Sequence, residues 1–265
     1  MGTQTAIEVR VDVHEHGHKL GDHLYIHKHS RIHDLHPASK LLAVLLFIIV
    51  VVLTPNTEYW TFGIYLGLVL SVLVISKLPV KRMAKRMVVE VPFVIFALML
   101  PIFGREPDVE VFGLSLSEAG LIAGFGILAK ATLGVMASMI LAATTPARDI
   151  LNALAFIKLP NTLVQIASFM VRYSAVVLDE LQRMKVARES RGFSARGIQH
   201  WRVLAQSAGA LFIRSYERGE RVHLAMLSRG YRGTMDFGNE RLEKKDYVAF
   251  LLPILALITL IGSLL

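Results

Sequence analysis

Asp179-x-x-x-Arg183-x-x-x-Ala187-x-x-Ser190-Arg191-Gly192-Phe193 is followed, 38 residues further on, by Glu217-x-x-x-Arg221-x-x-x-Ala225-x-x-Ser228-Arg229-Gly230-Tyr231. An acid, a base, a small residue and then Ser-Arg-Gly-aromatic recur in register, as in a repeated supersecondary unit. Spacings of four put Asp179, Arg183 and Ala187 on one helical face, and likewise Glu217, Arg221 and Ala225. Each acid precedes its arginine, the better order for an i,i+4 pair. Gly192 and Gly230 fall where a helix closes in a left-handed cap. Arg191 and Arg229 then occupy the last turn, where a cation meets the negative end of the helix dipole. The stretch predicts two helices, each presenting one arginine at its tip. One Arg-Gly closure alone reads as the solvated end of an ordinary helix; two in register point to two equal partners.

The 265 residues around this repeat are 54% hydrophobic and only 19% charged, with mean hydropathy +0.51. Soluble domains carry about 25% charged residues, and here long apolar runs account for the difference. The class is therefore an all-α polytopic membrane protein. Net charge +8 suits the cytoplasmic loops of such a protein. Without base-reading motifs or basic-aromatic interleaving, it does not indicate nucleic acid. The absence of cysteine excludes disulfides, thiolate nucleophiles and thiolate metal sites.

Residues 1–36 are polar and hold eight of the ten histidines, with Glu8 and Asp12 among them. This tail lacks the basic-then-apolar order of a cleavable signal peptide. His14, His16 and His18, two apart, suit an extended or floppy metal chelate and not a fixed helical site. The other reading of the tract is a tail with adventitious metal affinity.

Pro37 opens a first apolar helix (38–53), which Thr54-Pro55-Asn56 stops; short for a core of about 30 Å, it should extend a turn at each end. A second span runs over 58–76, with Tyr59 and Trp60 at an interface. The loop with Lys77, Lys81, Arg82, Lys85 and Arg86 is basic enough to be cytoplasmic. The third span, about 88–103, contains Pro92, which should kink it. Glu90 near its start reads as an intramembrane acid or as a headgroup-level ion pair with the basic loop. Residues 104–118 are acidic and fit the outer face. The fourth span, about 117–143, carries Gly120, Gly124, Gly126, Ala129, Ala131 and Gly134 as a small-residue surface. Lys130 at its middle is a candidate buried functional charge.

From 147 to 246 no uninterrupted apolar run reaches span length, because Gln165 and Arg172 break the best one. Helical periodicity with scattered arginines describes amphipathic helices lying against the membrane. A last span covers 247–265. The chain thus divides into a His-rich tail (1–36), a four-helix membrane region (37–146), a cytoplasmic helical module (147–246) and a C-terminal membrane helix (247–265). The positive-inside rule places the tail and the module in the cytoplasm.

No phosphate-binding loop, His-Glu-x-x-His, Gly-x-Ser-x-Gly or paired intramembrane carboxylates occur. The arginine tips therefore read as mechanical contacts for a dimeric soluble partner. Ala187 with Ser190, and Ala225 with Ser228, lie three apart and would let the two helices cross closely. An intramembrane enzyme built on Lys130, Glu90 or a tail histidine is disfavoured, since these groups lie at different depths.

The stretches Glu189-Ser190-Arg191-Gly192-Phe193, Phe212-Ile213-Arg214-Ser215-Tyr216-Glu217-Arg218 and Ala225-Met226-Leu227-Ser228-Arg229-Gly230-Tyr231-Arg232-Gly233 resemble the transmembrane T component of energy-coupling factor (ECF) transporters, in particular its CbiQ branch. Both Ala-Arg-Gly-like triplets of that family read Ser-Arg-Gly here. The Asp-Pro-Arg-x-Lys often found before the first span is matched only at Pro37 and Lys40. The resemblance covers roughly residues 33–265 and is specific in the coupling region. It implies a non-catalytic subunit of an importer for cobalt or nickel in the bacterial cytoplasmic membrane. Two CbiO-like ATPase subunits, which hold ATP and Mg, would receive the Arg191 and Arg229 tips. A CbiM-like membrane subunit, often with CbiN, would bind the substrate. The residues implied in coupling are Ser190, Arg191, Gly192, Ser228, Arg229 and Gly230. Asp179, Arg183, Ala187, Glu217, Arg221 and Ala225 support them. A vitamin importer is the alternative within the same family.

Overall fold

Pro37 begins helix α1 (Pro37–Leu53) as its first residue, where a missing N–H costs nothing, and His36 Nδ1 accepts the Ala38 N–H at 3.2 Å. The computed structural model describes residues 30, 32–79, 87–103, 108–111, 114–193, 201–235 and 242–264. The described residues fall into two units, one within Leu24–Lys158 and Gly238–Leu265, the other within Leu159–Phe237.

The larger unit holds α1, α2 (Tyr59–Ile75), and a 3-10 turn (Met87–Glu90) running into α3 (Val91–Phe103). A hairpin of β1 (Asp108–Val111) and β2 (Leu114–Ser117) follows, then α4 (Glu118–Thr144) and α5 (Ala147–Phe156). A 3-10 stretch (Lys244–Phe250) leads into α8 (Leu251–Leu264); α6 (Asn161–Glu189) and α7 (Trp201–Ser228) make up the smaller unit. Among the described residues, Glu118–Thr144, Asn161–Glu189 and Lys244–Ser263 are long and apolar enough to cross a membrane. Pro37–Leu53, Tyr59–Ile75 and Met87–Phe103 are shorter apolar helices.

The core of the larger unit joins Phe47 and Val51 of α1, Phe62, Tyr65 and Val69 of α2, Leu133, Ala137 and Ile140 of α4, and Ala256 of α8. Tyr65 is fully buried, with the Phe47 and Phe62 rings edge-on at 6.0 and 6.3 Å. Its hydroxyl lies 3.2 Å from Thr54 Oγ1 and 3.1 Å from the Ala256 carbonyl, and Thr54 Oγ1 is 2.9 Å from the Val50 carbonyl. Two hydroxyl protons thus serve three contacts that bind α1, α2 and α8. In lipid, such polar contacts do what apolar burial does for a soluble core.

Small residues let α3 and α4 meet. A Cβ on Gly120 would stand 2.6 Å from the Leu100 carbonyl oxygen, and one on Gly124 the same distance from that of Ala97. The expected small-residue surface is not continuous, however. Gly126 faces Asn56 of the α1–α2 turn, and a Cβ on Gly134 would meet nothing within 4 Å.

Two ties fix the start of α1. Lys40, buried, donates through Nζ to the carbonyls of His33 and Thr144, each at 3.2 Å. Thr144 ends α4, so a cation meets the negative end of a helix. Asp246, also buried, accepts the His36 N–H at 2.8 Å and the Glu243 N–H at 2.7 Å. The start of the last membrane helix is thereby stapled to the start of the first. Helix α5 packs Ala153 against Ala38 and Leu41 of α1.

The structure departs from the sequence reading at three further points. Pro92 sits in the first turn of α3, after the 3-10 turn, where it replaces no needed hydrogen bond; the interior proline is Pro101. Glu90 is buried and accepts from Thr132 Oγ1 of α4, and it has no ion pair among the described residues; Lys81, Arg82, Lys85 and Arg86 lie outside them. The acidic connection that read as a plain loop contains an antiparallel ladder pairing Asp108 with Ser117 and Val111 with Leu114. Ser117 then caps α4, accepting the Gly120 N–H at 3.3 Å.

Candidate functional site: two capped arginine tips

Helices α6 and α7 run antiparallel. Gln165 near the start of α6 donates to the Tyr231 hydroxyl beyond the end of α7. Arg214 pairs with Glu180 midway, and Arg188 near the end of α6 donates to Ser207 Oγ near the start of α7 at 2.7 Å. As one index rises the other falls. The two arginine tips therefore lie at opposite ends of the pair, separated by about the length of α7, roughly 40 Å at ~1.5 Å per residue.

Each tip is built the same way. Gly192 has φ +75° and Gly230 φ +85°, the left-handed region that a side chain resists. After Arg191, the Gly192 N–H bonds the Glu189 carbonyl at 3.0 Å and the Phe193 N–H reaches back to that of Arg188 at 3.1 Å. After Arg229, the Gly230 N–H bonds Leu227 and the Tyr231 N–H bonds Met226, both at 3.0 Å. This 5→2 and 6→1 pattern is the Schellman motif, and it satisfies carbonyls that a helix end otherwise leaves orphaned. The repeat is therefore conformational as well as textual. Ser190, Arg191, Gly192, Ser228, Arg229 and Gly230 are all exposed, and neither Arg191 nor Arg229 has an ion pair among the described residues.

The supporting residues divide. Glu217 and Arg221 form the expected i,i+4 pair at 4.0 Å, while Asp179 and Arg183 form none among the described residues. On α6 the cross-helix pair uses the neighbouring Glu180 with Arg214, a contact that spacing within one helix could not reveal. Ala187, Ser190, Ala225 and Ser228 are exposed and not interleaved between the helices. The close crossing expected from them is absent, and long polar side chains bridge α6 and α7 instead. Only Val164 and Gln165 of α6 are buried, and no residue of α7 is. Helix α6 also runs unbroken through Gln165 and Arg172 as a candidate span, an extent that the sequence reading denied it.

Elsewhere, Lys130 sits half-buried near the middle of α4 with no carboxylate partner among the described residues. A lysine at the centre of a membrane helix costs about 2.5–3.5 kcal/mol on insertion scales. His14, His16 and His18 lie outside the described residues. Among the described residues no cluster of three or more His, Asp or Glu could hold a metal.

Residues 28–238 match the CbiQ family, described as cobalt transport protein. The chain belongs to this family of ECF transporter transmembrane components. An energy-coupling factor transporter transmembrane protein EcfT of Staphylococcus aureus is 30% identical over 223 residues, covering 78% of this chain and 82% of its own. Its Bacillus subtilis namesake is 25% identical over 224 residues, with coverages of 79% and 83%. An uncharacterized protein of Methanocaldococcus jannaschii is 26% identical over 247 residues, covering 88% and 84%. Both arginine tips of this T component fall inside the matched span.

Proposed function

We propose that this T component is the energy-coupling scaffold of a cobalt or nickel importer, and that Arg191 and Arg229 each dock on one of two CbiO-like ATPase subunits. The observation that carries the reading is the pair of identically capped, exposed arginines, without an ion pair among the described residues, at opposite ends of one antiparallel pair. Tips some 40 Å apart suit two separate protein subunits better than one small ligand. The planar guanidinium fork can hold a carboxylate or backbone acceptors in fixed geometry, which a lysine cannot imitate. ATP and Mg belong to the ATPases on this reading, and the T component is non-catalytic. Closing of the ATPases moves α6 and α7, and the movement passes to a CbiM-like membrane subunit, with CbiN where present. The helical module and the N-terminal tail then face the cytoplasm, and the protein lies in the bacterial inner membrane.

The metal substrate is supported by the family's description as cobalt transport protein and by the histidines of the tail. Arg191→Glu with Arg229→Glu should leave the protein inserted and abolish co-purification with its ATPases; retained binding contradicts the docking role. Uptake of cobalt and nickel, measured beside uptake of a vitamin panel, separates the metal reading from the vitamin one. Deletion of residues 1–32 should slow uptake at limiting cobalt if the tail captures metal. Unchanged uptake would assign the tail to adventitious affinity.

A further inference from the structure

We propose that the larger unit holds one molecule of phosphatidylethanolamine, an acyl chain in the cavity between α2 and α8, the phosphate on Lys245 and the ammonium on Asp34. The site is separate from the arginine tips and does not depend on their docking role.

The cavity is the first observation. It measures about 600 Å³ and is walled by Ala43 and Val44 of α1, Leu68 and Val72 of α2, and Leu252 and Leu255 of α8. Next to Leu68 and Leu255, the bond from the Tyr65 hydroxyl to the Ala256 carbonyl ties α2 to α8 and closes the floor. From that tie the α2 wall runs about 10 Å to the end of the helix, counting Leu68 to Ile75 at ~1.5 Å per residue. Ser71, Ile75 and Leu251 at the edge are exposed, so the cavity opens sideways, where a membrane protein meets lipid. An apolar space takes an apolar guest in preference to water. Its volume lies within the ~300–1,000 Å³ of ordinary ligand sites, and the guest at hand in a bilayer is an acyl chain.

The mouth is the second observation, and it selects the head. Asp34 precedes α1 and Lys245 precedes α8, and both line the cavity. The charges therefore sit at the helix starts while the apolar wall lies further along the helices. Lys245 spends one of its three N–H groups on Glu243 at 2.9 Å, which leaves donors for a phosphate. Asp34 is exposed and forms no ion pair among the described residues. The neighbouring charges are taken up by backbone groups, Lys40 by two carbonyls and Asp246 by two N–H groups. One carboxylate and one cation are left beside the same opening. A phosphatidylglycerol head would answer Lys245 but set a second negative charge against Asp34, whereas a phosphate followed by an ammonium answers both. Ethanolamine, unlike choline, can also donate N–H bonds to the carboxylate.

The test is native mass spectrometry of the full chain in mild detergent, offered equal amounts of dioleoyl phosphatidylethanolamine, phosphatidylcholine and phosphatidylglycerol. One phosphatidylethanolamine should be retained saturably, on the order of tenfold over either competitor. Asp34→Asn, a change at an exposed position, should erase that preference and keep one bound lipid. Ser71→Trp should fill the opening and remove the adduct from a chain that still elutes as a single species. Equal retention of phosphatidylglycerol, adducts that never saturate, or an unchanged preference in Asp34→Asn would overturn the proposal. A photo-reactive benzoyl-phenylalanine at Ser71, in the transporter co-expressed with its partner subunits, should capture lipid. Capture of protein there would assign the cavity to another subunit and equally overturn the proposal.

Discussion

The two units spend their apolar residues differently. In the larger one, α1 alone buries eight residues, while in the smaller one α7 buries none across 28. Phe212, Ile213 and Tyr216 of α7 stand 59–71% exposed, yet the helix is held to α6 by side-chain bridges and by its capped end. The first unit is folded by what it contains. The second leaves most of its apolar side chains exposed, as the proposed transmission role would require.

That contrast can be broken by substitutions that should hurt one unit and spare the other. Gly124→Ala puts a Cβ against the Ala97 carbonyl and should cost about 1–3 kcal/mol by overpacking. It would be read as earlier loss of the monodisperse species on heating in detergent, with Gly134→Ala near wild type as the control. Gly192→Ala, at φ +75°, should cost about 1 kcal/mol locally. Faster hydrogen exchange at the Phe193 amide would report it, with the membrane core unchanged. Tyr65→Phe removes one proton from the Thr54–Ala256 cluster and should cost about 0.6 kcal/mol, typical of such bonds in membranes. Phe212→Ser should change the stability of the isolated chain by under about 0.5 kcal/mol while weakening its association with partner subunits. A large loss of stability there would mean that α7 has a core of its own.

The same contrast explains what was legible in the sequence. Apolar runs with proline stops marked α1 and α2 to within a residue or two, because lipid tolerates little else over such lengths, while the extra turn expected at each end of α1 does not form. The tips were legible because Gly, its preceding arginine and its following aromatic are a local code. Pairings between helices were not. Glu180–Arg214 and Gln165–Tyr231 join residues 34 and 66 apart, and no periodicity reports them. Ala187 and Ser190 misled for the same reason, since small size permits contact without causing it. The β1–β2 hairpin was hidden because its strands are only four residues long and β1 carries Asp and Glu, which are depleted in strands. Asp246 gave no signal of its own, and Lys40 only as a partial match to a family element, because their partners are backbone groups whose location only the packing decides.

The central claim is that each arginine tip is an independent and equivalent docking point. The most direct measurement is the affinity of the purified ATPase pair for the detergent-solubilised chain carrying Arg191→Glu, Arg229→Glu or both. Each single reversal should weaken binding by a similar factor, on the order of tenfold, and the double reversal should abolish it. Wild-type affinity in the double variant, or a full effect from one arginine with none from the other, would contradict the account.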